Sequence, residues 1–427
     1  MTETVPPVES TTDVCVVGGG PAGLSLTLML LRSGFGVTLV ERSSSLDREY
    51  RGEILQPGGS AVLDDLGCLD AALGRGGYPL DRFQLLEQEK VLLDIDYGRL
   101  PPPRRELLSV PQAHVLIELL ERCRRFDRFH ALAGHRVSAL VPGPGGEVRG
   151  VVATGPGGSR TVRASCVVGA DGRFSKARRL AGIAADRAET FDFDVLWFKV
   201  PLPEGQPRPR AVRVFRSGGS PVLVYPSYPD TLQVGWTLPH GGYARVAERG
   251  VNHMREEICR AVPDHADLIR EHVTSLRDLT LLDVFAGRAA HWTRDGLVLI
   301  GDSAHTHSPL GAQGINLALQ DAALLHPVLV GALRAGEVTA GRLATYAEPR
   351  GRDISTVMKM QAIQAKAMLS QGRVARVVRP RLASLLQRTP AGSHLTGLIA
   401  HGNPRARVRT DLFRDDVQDR PLTGDAP

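Results

Sequence analysis

The sequence predicts an α/β fold, in which a Rossmann-like parallel sheet is interrupted by an inserted antiparallel sheet and followed by a helical C-terminal region. Three observations carry this. "DVCVVGGGPAGLSLTLMLLRSGFGVTLVER" reads as strand, tight glycine turn, helix and strand within one unit. Between residues 191 and 238 the composition shifts to short strand-like runs ("FDVLWFKV", "AVRVFR", "PVLVYPS", "TLQVGWTL") separated by turn residues. Residues 323–388 read as mostly helical and Arg-rich.

In order along the chain, residues 1–10 read as a loose lead. Strands follow at 13–17 and 37–41, around a helix with apolar residues at Leu24, Leu28 and Leu31 that ends at Ser33–Gly34. Residues 58–73 read as a helix, 82–97 as a strand pair, and 109–126 as an amphipathic helix behind a proline boundary. Residues 135–172 hold short β runs punctuated by Gly and Pro, the pattern of hairpins. "VNHMREEICRAV" and "DHADLIREHV" return to helix, and the tail from Arg414 reads as loose.

A chain of 427 residues is long enough for two domains or one large one with insertions. Hydrophobic residues make up 42% and charged residues 23%, the profile of a globular protein with a real core. The net charge of +6 comes almost entirely from scattered Arg. There is no basic stripe with aromatics, so nucleic acid is not expected as a partner. The five cysteines are odd in number and none are in CxxC spacing, which predicts a reducing compartment and no metal site. The polar N-terminus does not read as a signal peptide, and no apolar run is read as a membrane span, so a cytoplasmic protein is expected.

Three motifs carry chemistry. In Gly18-x-Gly20-x-x-Gly23, with Pro21 and Ala22 inside it, the glycines allow a sharp turn, close approach of backbone N–H groups to a pyrophosphate, and tight helix–sheet packing. The free N–H groups and positive end of the following helix suit the same phosphates. Glu41, at the end of the second strand, is placed to accept ribose hydroxyls. The second motif, "GADGRFSKARRLAG", puts Asp171 and Gly172 where a strand ends, with Ser175 and Arg178 at helical spacing. The third, "GDSAHTHSPLGAQGIN", puts Gly301 and Asp302 just past a strand and Pro309, Gly311 and Gly314 in a rigid loop. Ile315 and Asn316 would open a helix whose amides face a ligand. Each motif alone also suits a plain turn, but the order of the three is far more specific.

That order resembles the single-component (group A) FAD-dependent aromatic hydroxylases of the para-hydroxybenzoate hydroxylase type. Their pattern is GxGxxG, then DGxxSxxR, then GDxxHxxxPxxGxGxN, and the resemblance spans roughly residues 12–350. It implies FAD bound at Gly18, Gly20, Pro21, Ala22, Gly23, Glu41, Arg42, Arg51, Gln112, Asp171, Gly301, Asp302, Gly311, Gln313 and Gly314. It implies that Pro309 lies beside the flavin face and that the amides of Ile315 and Asn316 meet the flavin N1/C2 carbonyl edge. His305 matches a family histidine with a structural role, and His307 is assigned a loop role.

The resemblance further implies an FAD-binding domain in three parts (1–75, 107–185, 283–345). A β insertion (76–106) and an antiparallel substrate domain (186–282) interrupt it, and a helical region (346–427) closes the chain. NADPH or NADH would reduce the flavin, and O2 would give a C4a-hydroperoxide that oxygenates a small, aromatic or natural-product substrate. Arg213, Phe215, Tyr225, Trp236 and His240 are the candidates to line the substrate pocket. Epoxidation, Baeyer–Villiger oxidation and flavin-dependent reduction on the same fold stay open as alternatives, with a non-catalytic carrier behind them. A homodimer or a carrier-protein-tethered substrate also stays open.

Overall fold

The first strand is longer than the apolar run that betrays it. In the computed structural model, which describes residues 8–46, 52–87, 90–100, 105–188, 193–216, 220–369 and 389–415, β1 spans Val8–Val17. Residues 8–12 are largely exposed, yet they pair in register with residues 160–164 of a second long strand. The expected loose lead is therefore ordered from Val8 onward, because a neighbouring strand supplies the ladder.

Helix α1 (Pro21–Arg32) and strand β2 (Val37–Glu41) complete the first unit. Then come β3 (Ile54–Leu55), α2 (Pro57–Asp65) and α3 (Leu69–Gly74). The single helix expected over 58–73 is two, because Gly67 takes a left-handed φ of 65° that an α-helix cannot contain. Next are β4 (Tyr78–Leu80), β5 (Arg82–Glu87), β6 (Lys90–Asp96), β7 (Leu107–Ser109) and α4 (Gln112–Cys123). They are followed by β8 (Phe129–Ala133), β9 (Arg136–Pro142), β10 (Val148–Gly155), β11 (Gly158–Gly169), α5 (Lys176–Leu180) and β12 (Ala185–Ala188), which pairs with β18 (Ala286–Ala289).

The main sheet runs β19-β20-β11-β1-β2-β8, where β19 is Thr293–Arg294 and β20 is Leu297–Leu299. Strands β20, β11, β1, β2 and β8 are parallel, as their crossovers require. The hairpin strands β9 and β10 extend β11 outside this path. One large apolar core fills the space between this sheet and α1, α4 and the long helix α9 (Gly314–Ala335). The stretch Leu310–Ala335 is long and apolar enough to cross a membrane by composition, a run the sequence reading passed over. Its most apolar 18-residue window is 78% buried inside the protein, which makes it a core helix.

The second large sheet runs β17-β13-β16-β15-β14-β5-β6. It is built from β13 (Phe193–Pro201), β14 (Ala211–Arg216), β15 (Val222–Ser227), β16 (Thr231–Pro239) and β17 (Thr280–Leu282), joined by the β5–β6 hairpin. It is mixed rather than wholly antiparallel, because β14 pairs with β5 in parallel. Helices α6 (Tyr243–Glu248), α7 (Gly250–Ala261) and α8 (Ala266–His272) cover one face through a second core. The other face closes a third core, which includes Leu310 and Ala312 from the loop ahead of α9.

Helix α10 spans Ala340–Leu369 and α11 spans Pro390–His401. The expected helical stretch over 370–388 lies outside the described residues, as does the tail beyond residue 415. Arg414 itself is tied down: its N–H donates to the Arg32 carbonyl at 2.9 Å.

Candidate flavin site

The three motifs leave one edge of one sheet. Val17 of β1 pairs with Gly169 of β11, and Gly169 pairs with Leu299 of β20. Gly18, Ala170–Asp171 and Gly301–Asp302 therefore issue side by side from the carboxyl ends of adjacent parallel strands, where open α/β sheets bind ligands.

The first turn needs its glycines for contact as much as for conformation. Gly18 has φ 110°, and a Cβ there would lie 2.3 Å from the Ala170 carbonyl oxygen. A Cβ on Gly23 would lie 2.0 Å from the Gly18 oxygen. Gly20 is the N-cap of α1 and supplies no side-chain cap, Pro21 follows at the first helical turn, and no acid sits in that turn. The first N–H groups of α1 are thus left for an anion. Ala22 is buried at that end, against the place where a Cβ on Gly301 would fall, 3.3 Å away.

Glu41 ends β2 and reaches back to the turn. Its Oε2 accepts the Gly19 N–H at 2.6 Å and its Oε1 accepts the Ser43 N–H at 2.9 Å. Arg42 follows on the surface. Arg51 lies outside the described residues. Gln112 is the first residue of α4 and is buried behind Pro111.

Asp171 stitches two motifs together. Its carboxylate accepts from Ser175 Oγ (2.5 Å), the N–H groups of Lys176 (2.6 Å) and Ala177 (3.0 Å), and Ser303 Oγ (3.2 Å). Arg178 donates from Nη1 to the Ser303 carbonyl at 2.7 Å, and the Gly172 N–H donates to Ser303 Oγ at 3.0 Å. Asp171 thus fixes the turn that carries Asp302 instead of presenting a bare carboxylate. Asp302 is partly exposed, 3.7 Å from Arg173.

Beneath this turn is a buried charge post that sequence reasoning missed. Asp321 of α9 accepts the Gly301 N–H, His305 Nε2 and Arg350 Nε, each at 2.7 Å. Burial alone would raise the Asp321 carboxyl, but the His305 and Arg350 charges and hydrogen bonds outweigh it and hold it far below the carboxylate range. An ionised Asp321 requires the proton of His305 on Nε2. The other ring nitrogen, Nδ1, meets Nε2 of His307 at 2.8 Å. Burial, then the neighbouring His305, pushes His307 well below the ordinary histidine value. The one sequence signal for this post was a lone acid inside the apolar run "LALQDAALL".

The loop from Pro309 to Asn316 is clamped from three sides. Gly311 has φ 73° and Ala312 φ 51°, the latter costing an L-residue about 1–2 kcal/mol. The Gly311 carbonyl accepts from Gln313 Nε2 (3.0 Å) and Gln56 Nε2 (2.9 Å), and Tyr97 donates to Gln56 Oε1 at 3.1 Å. Gln313 also reaches the Ile399 carbonyl of α11 at 2.8 Å. Gln361 of α10 holds the Ser308 and Leu310 carbonyls. The Asn316 side chain is spent on the loop, with Nδ2 donating to the Ala312 (2.6 Å) and Ile54 (3.3 Å) carbonyls. Helix α9 starts at Gly314 with no side-chain cap. The backbone amides of its first turn, Ile315 and Asn316 among them, therefore lack intrahelical partners.

The substrate-side candidates divide by sheet face. Phe215 and Trp236 pack into the core under α6–α8. Arg213 shares the Phe215 face, and its charge is felt at His265 beside α8. These three are corrected: strand parity turns them away from the loop side. His240 is also corrected to an anchor at the sheet end. Its Nδ1 meets Asp194 Oδ1 at 3.0 Å, and the same carboxylate takes the Gly241 and Val284 N–H groups. Tyr225 does face the loop side, with Trp197 edge-on at a centroid distance of 6.5 Å. Trp197, Lys199, Gln233 and Glu53 on that side were missed, since nothing in a single strand tells which face is which.

A family model described as FAD binding domain matches residues 11–361. The chain is 55% identical over 411 residues to a 6-methylpretetramide 4-monooxygenase of Streptomyces rimosus, covering 96% of this chain and 97% of that protein. It is 29% identical to a kynurenine 3-monooxygenase of Salinispora tropica, over 74% of this chain and 72% of that one. Among solved structures, the OxyS anhydrotetracycline hydroxylase of Streptomyces rimosus shares the fold, with a TM-score of 0.73 and 24% identity over 92% of this chain and 76% of its own. The chain belongs to this FAD-binding family and is an FAD-dependent monooxygenase that draws on NAD(P)H and O2. Its residues fit the cofactor: two uncapped helix N-termini and a glycine turn with no room for a Cβ meet at one sheet edge.

Proposed function

We propose that this FAD-dependent monooxygenase hydroxylates a flat polycyclic phenol of the 6-methylpretetramide class. The observation that carries the reading is the sheet face opposite the loop at 309–316. There Trp197 and Tyr225 offer an aromatic wall, interrupted by polar side chains, against Leu310 and Ala312. Such a face suits a planar ring system with several oxygens. The name of the 55%-identical relative supplies the compound class.

Bound FAD would supply the redox chemistry and the activation of O2. The protein's part is to bind, orient and keep out water. The amides opening α1 would take the pyrophosphate, with Glu41 near the ribose and Gln112 near the ribityl or phosphate region. Asp302 would hold the ribityl chain, and Arg173 beside it would balance the charge. Pro309 would lie against the ring face. The amides of Ile315 and Asn316 would stabilise negative charge at the N1/C2 carbonyl edge, as preorganised donors at a helix N-terminus do. The clamp through Gln56, Gln313 and Gln361 keeps those amides in place. A cytoplasmic location belongs to the same proposal, supported by five cysteines that are all free and buried.

The test is NADPH consumption by the FAD-loaded protein with and without 6-methylpretetramide. Strong stimulation with a product one oxygen heavier supports the reading. Stimulation by simple monocyclic phenols alone would redirect it to catabolic hydroxylation.

A further inference from the structure

On the loop-facing side of the second sheet, a polar row crosses a largely apolar surface. Lys199 of β13 pairs in register with Gln233 of β16, and Gln233 pairs with Tyr225 of β15. The three side chains therefore stand in line across three adjacent strands on one face. Glu53 spans the row from the first domain. Its Oε1 accepts from Lys199 Nζ at 2.7 Å, and its Oε2 accepts from Ser227 Oγ at 2.6 Å. Phe193, Val195, Trp197, Val212 and Leu223 are among the apolar residues of this face.

Two features of the row go beyond what holding the sheet requires. A mostly buried ion pair adds little net stability over apolar residues of the same volume, so Glu53–Lys199 is a poor fastener. Gln233 is buried, donates from Nε2 to the Phe198 carbonyl at 3.3 Å, and leaves its Oε1 buried without a partner. An unpaired buried acceptor of this kind costs about 1–3 kcal/mol unless something fills it. Lys199 retains 28% side-chain exposure against 7% for Glu53, so the lysine is the less buried partner of the pair. The row also lies next to the flavin loop, because the residue after Glu53, Ile54, accepts Asn316 Nδ2 through its carbonyl.

We propose that Lys199, Gln233 and Tyr225 form the subsite that recognises the oxygen-bearing edge of the substrate. Lys199 takes an ionised enol or phenol oxygen, and the vacant Gln233 Oε1 accepts a neighbouring hydroxyl. Glu53, braced by Ser227, is a positioning residue that points the ammonium into the pocket. This rests on the function proposed above and adds the residues that select for an acidic, polyoxygenated ring.

The experiment compares FAD-loaded wild type with Lys199→Met, Lys199→Arg and Gln233→Leu, reading kcat and KM for 6-methylpretetramide together with FAD content. The expected result is a KM raised about tenfold or more in Lys199→Met, since hydrogen bonds to charged groups carry that much. Lys199→Arg should recover most of it, Gln233→Leu should show a smaller rise, and FAD content should be full throughout. A fully loaded Lys199→Met with wild-type KM overturns the subsite and leaves the proposed function standing. If Lys199→Met does not fold, an unchanged KM in Gln233→Leu overturns it instead. A wild type that neither binds nor oxidises 6-methylpretetramide sinks the function and this subsite together.

Discussion

Asn316 Oδ1 accepts the backbone N–H of Gln56 at 2.8 Å, across 260 residues of sequence. That bond joins the entry of α2 to the first turn of α9 and sets the loop that would cradle the flavin ring. Asn316→Ala should leave the Gln56 N–H buried and unsatisfied, costing about 1–3 kcal/mol. A lower Tm and faster loss of FAD on gel filtration are expected. Gly59→Ala should act in the same direction, because its Cβ would lie 2.1 Å from Asn316 Oδ1. Normal FAD retention in both variants would show that the clamp does not set the loop.

Asp302 stands where the ribityl chain is expected, on a turn held by Asp171, Ser303 and Asp321. The Asp302→Ala variant should fold, since Asp171, Ser303 and Asp321 hydrogen-bond the turn independently of it. Its FAD affinity should fall by about tenfold or more, the scale of hydrogen bonds to a charged group. Far-UV circular dichroism and the flavin-to-protein absorbance ratio read the two effects separately.

His326 gives a pH dependence of stability remote from the flavin site. Burial pushes it down to about 4, and it meets Ser33 Oγ at 2.8 Å from α9. Its folded value lies below the unfolded value of about 6.5. As pH falls below about 6.5 the unfolded chain takes the proton first, so stability declines until about pH 4 and then levels for this group. The loss amounts to about 3 kcal/mol at most. His326→Gln should flatten the fall in Tm across that window, and an unchanged slope would assign the acid sensitivity to other groups.

Gly235 leaves room for an aromatic ring. A Cβ there would lie 2.6 Å from the Trp197 ring, on the face where substrate is proposed to lie. Gly235→Ala should displace Trp197, destabilise by about 1–3 kcal/mol, and raise KM for the polycyclic substrate more than for a monocyclic phenol. Equal effects on both would mean that Trp197 does not form the wall.

What the sequence made legible was whatever is local. The glycine turn, the Asp-Gly end of β11 and the Gly-Asp end of β20 could be read because strand, turn and helix follow within a few residues. Contacts made at long range could not be. Gln56 meets Gly311, Glu53 meets Lys199, and Arg350 meets Asp321 only after the sheets have formed. The pocket residues went astray for a related reason. Phe215 and Tyr225 both sit in alternating strands, and only the position of α6–α8 decides which face is covered. The loose lead was misjudged because residues 8–12 are polar and exposed, and their order comes from a ladder with β11.

Three strand-end motifs are proposed to hold FAD for oxygen transfer to a polycyclic phenol. The most direct test is mass spectrometry of 6-methylpretetramide turned over by the FAD-loaded protein with NADPH under isotopically labelled O2. One labelled oxygen should enter the product, in step with NADPH consumed. NADPH oxidation that yields only hydrogen peroxide, with the phenol unchanged in mass, would contradict the proposal.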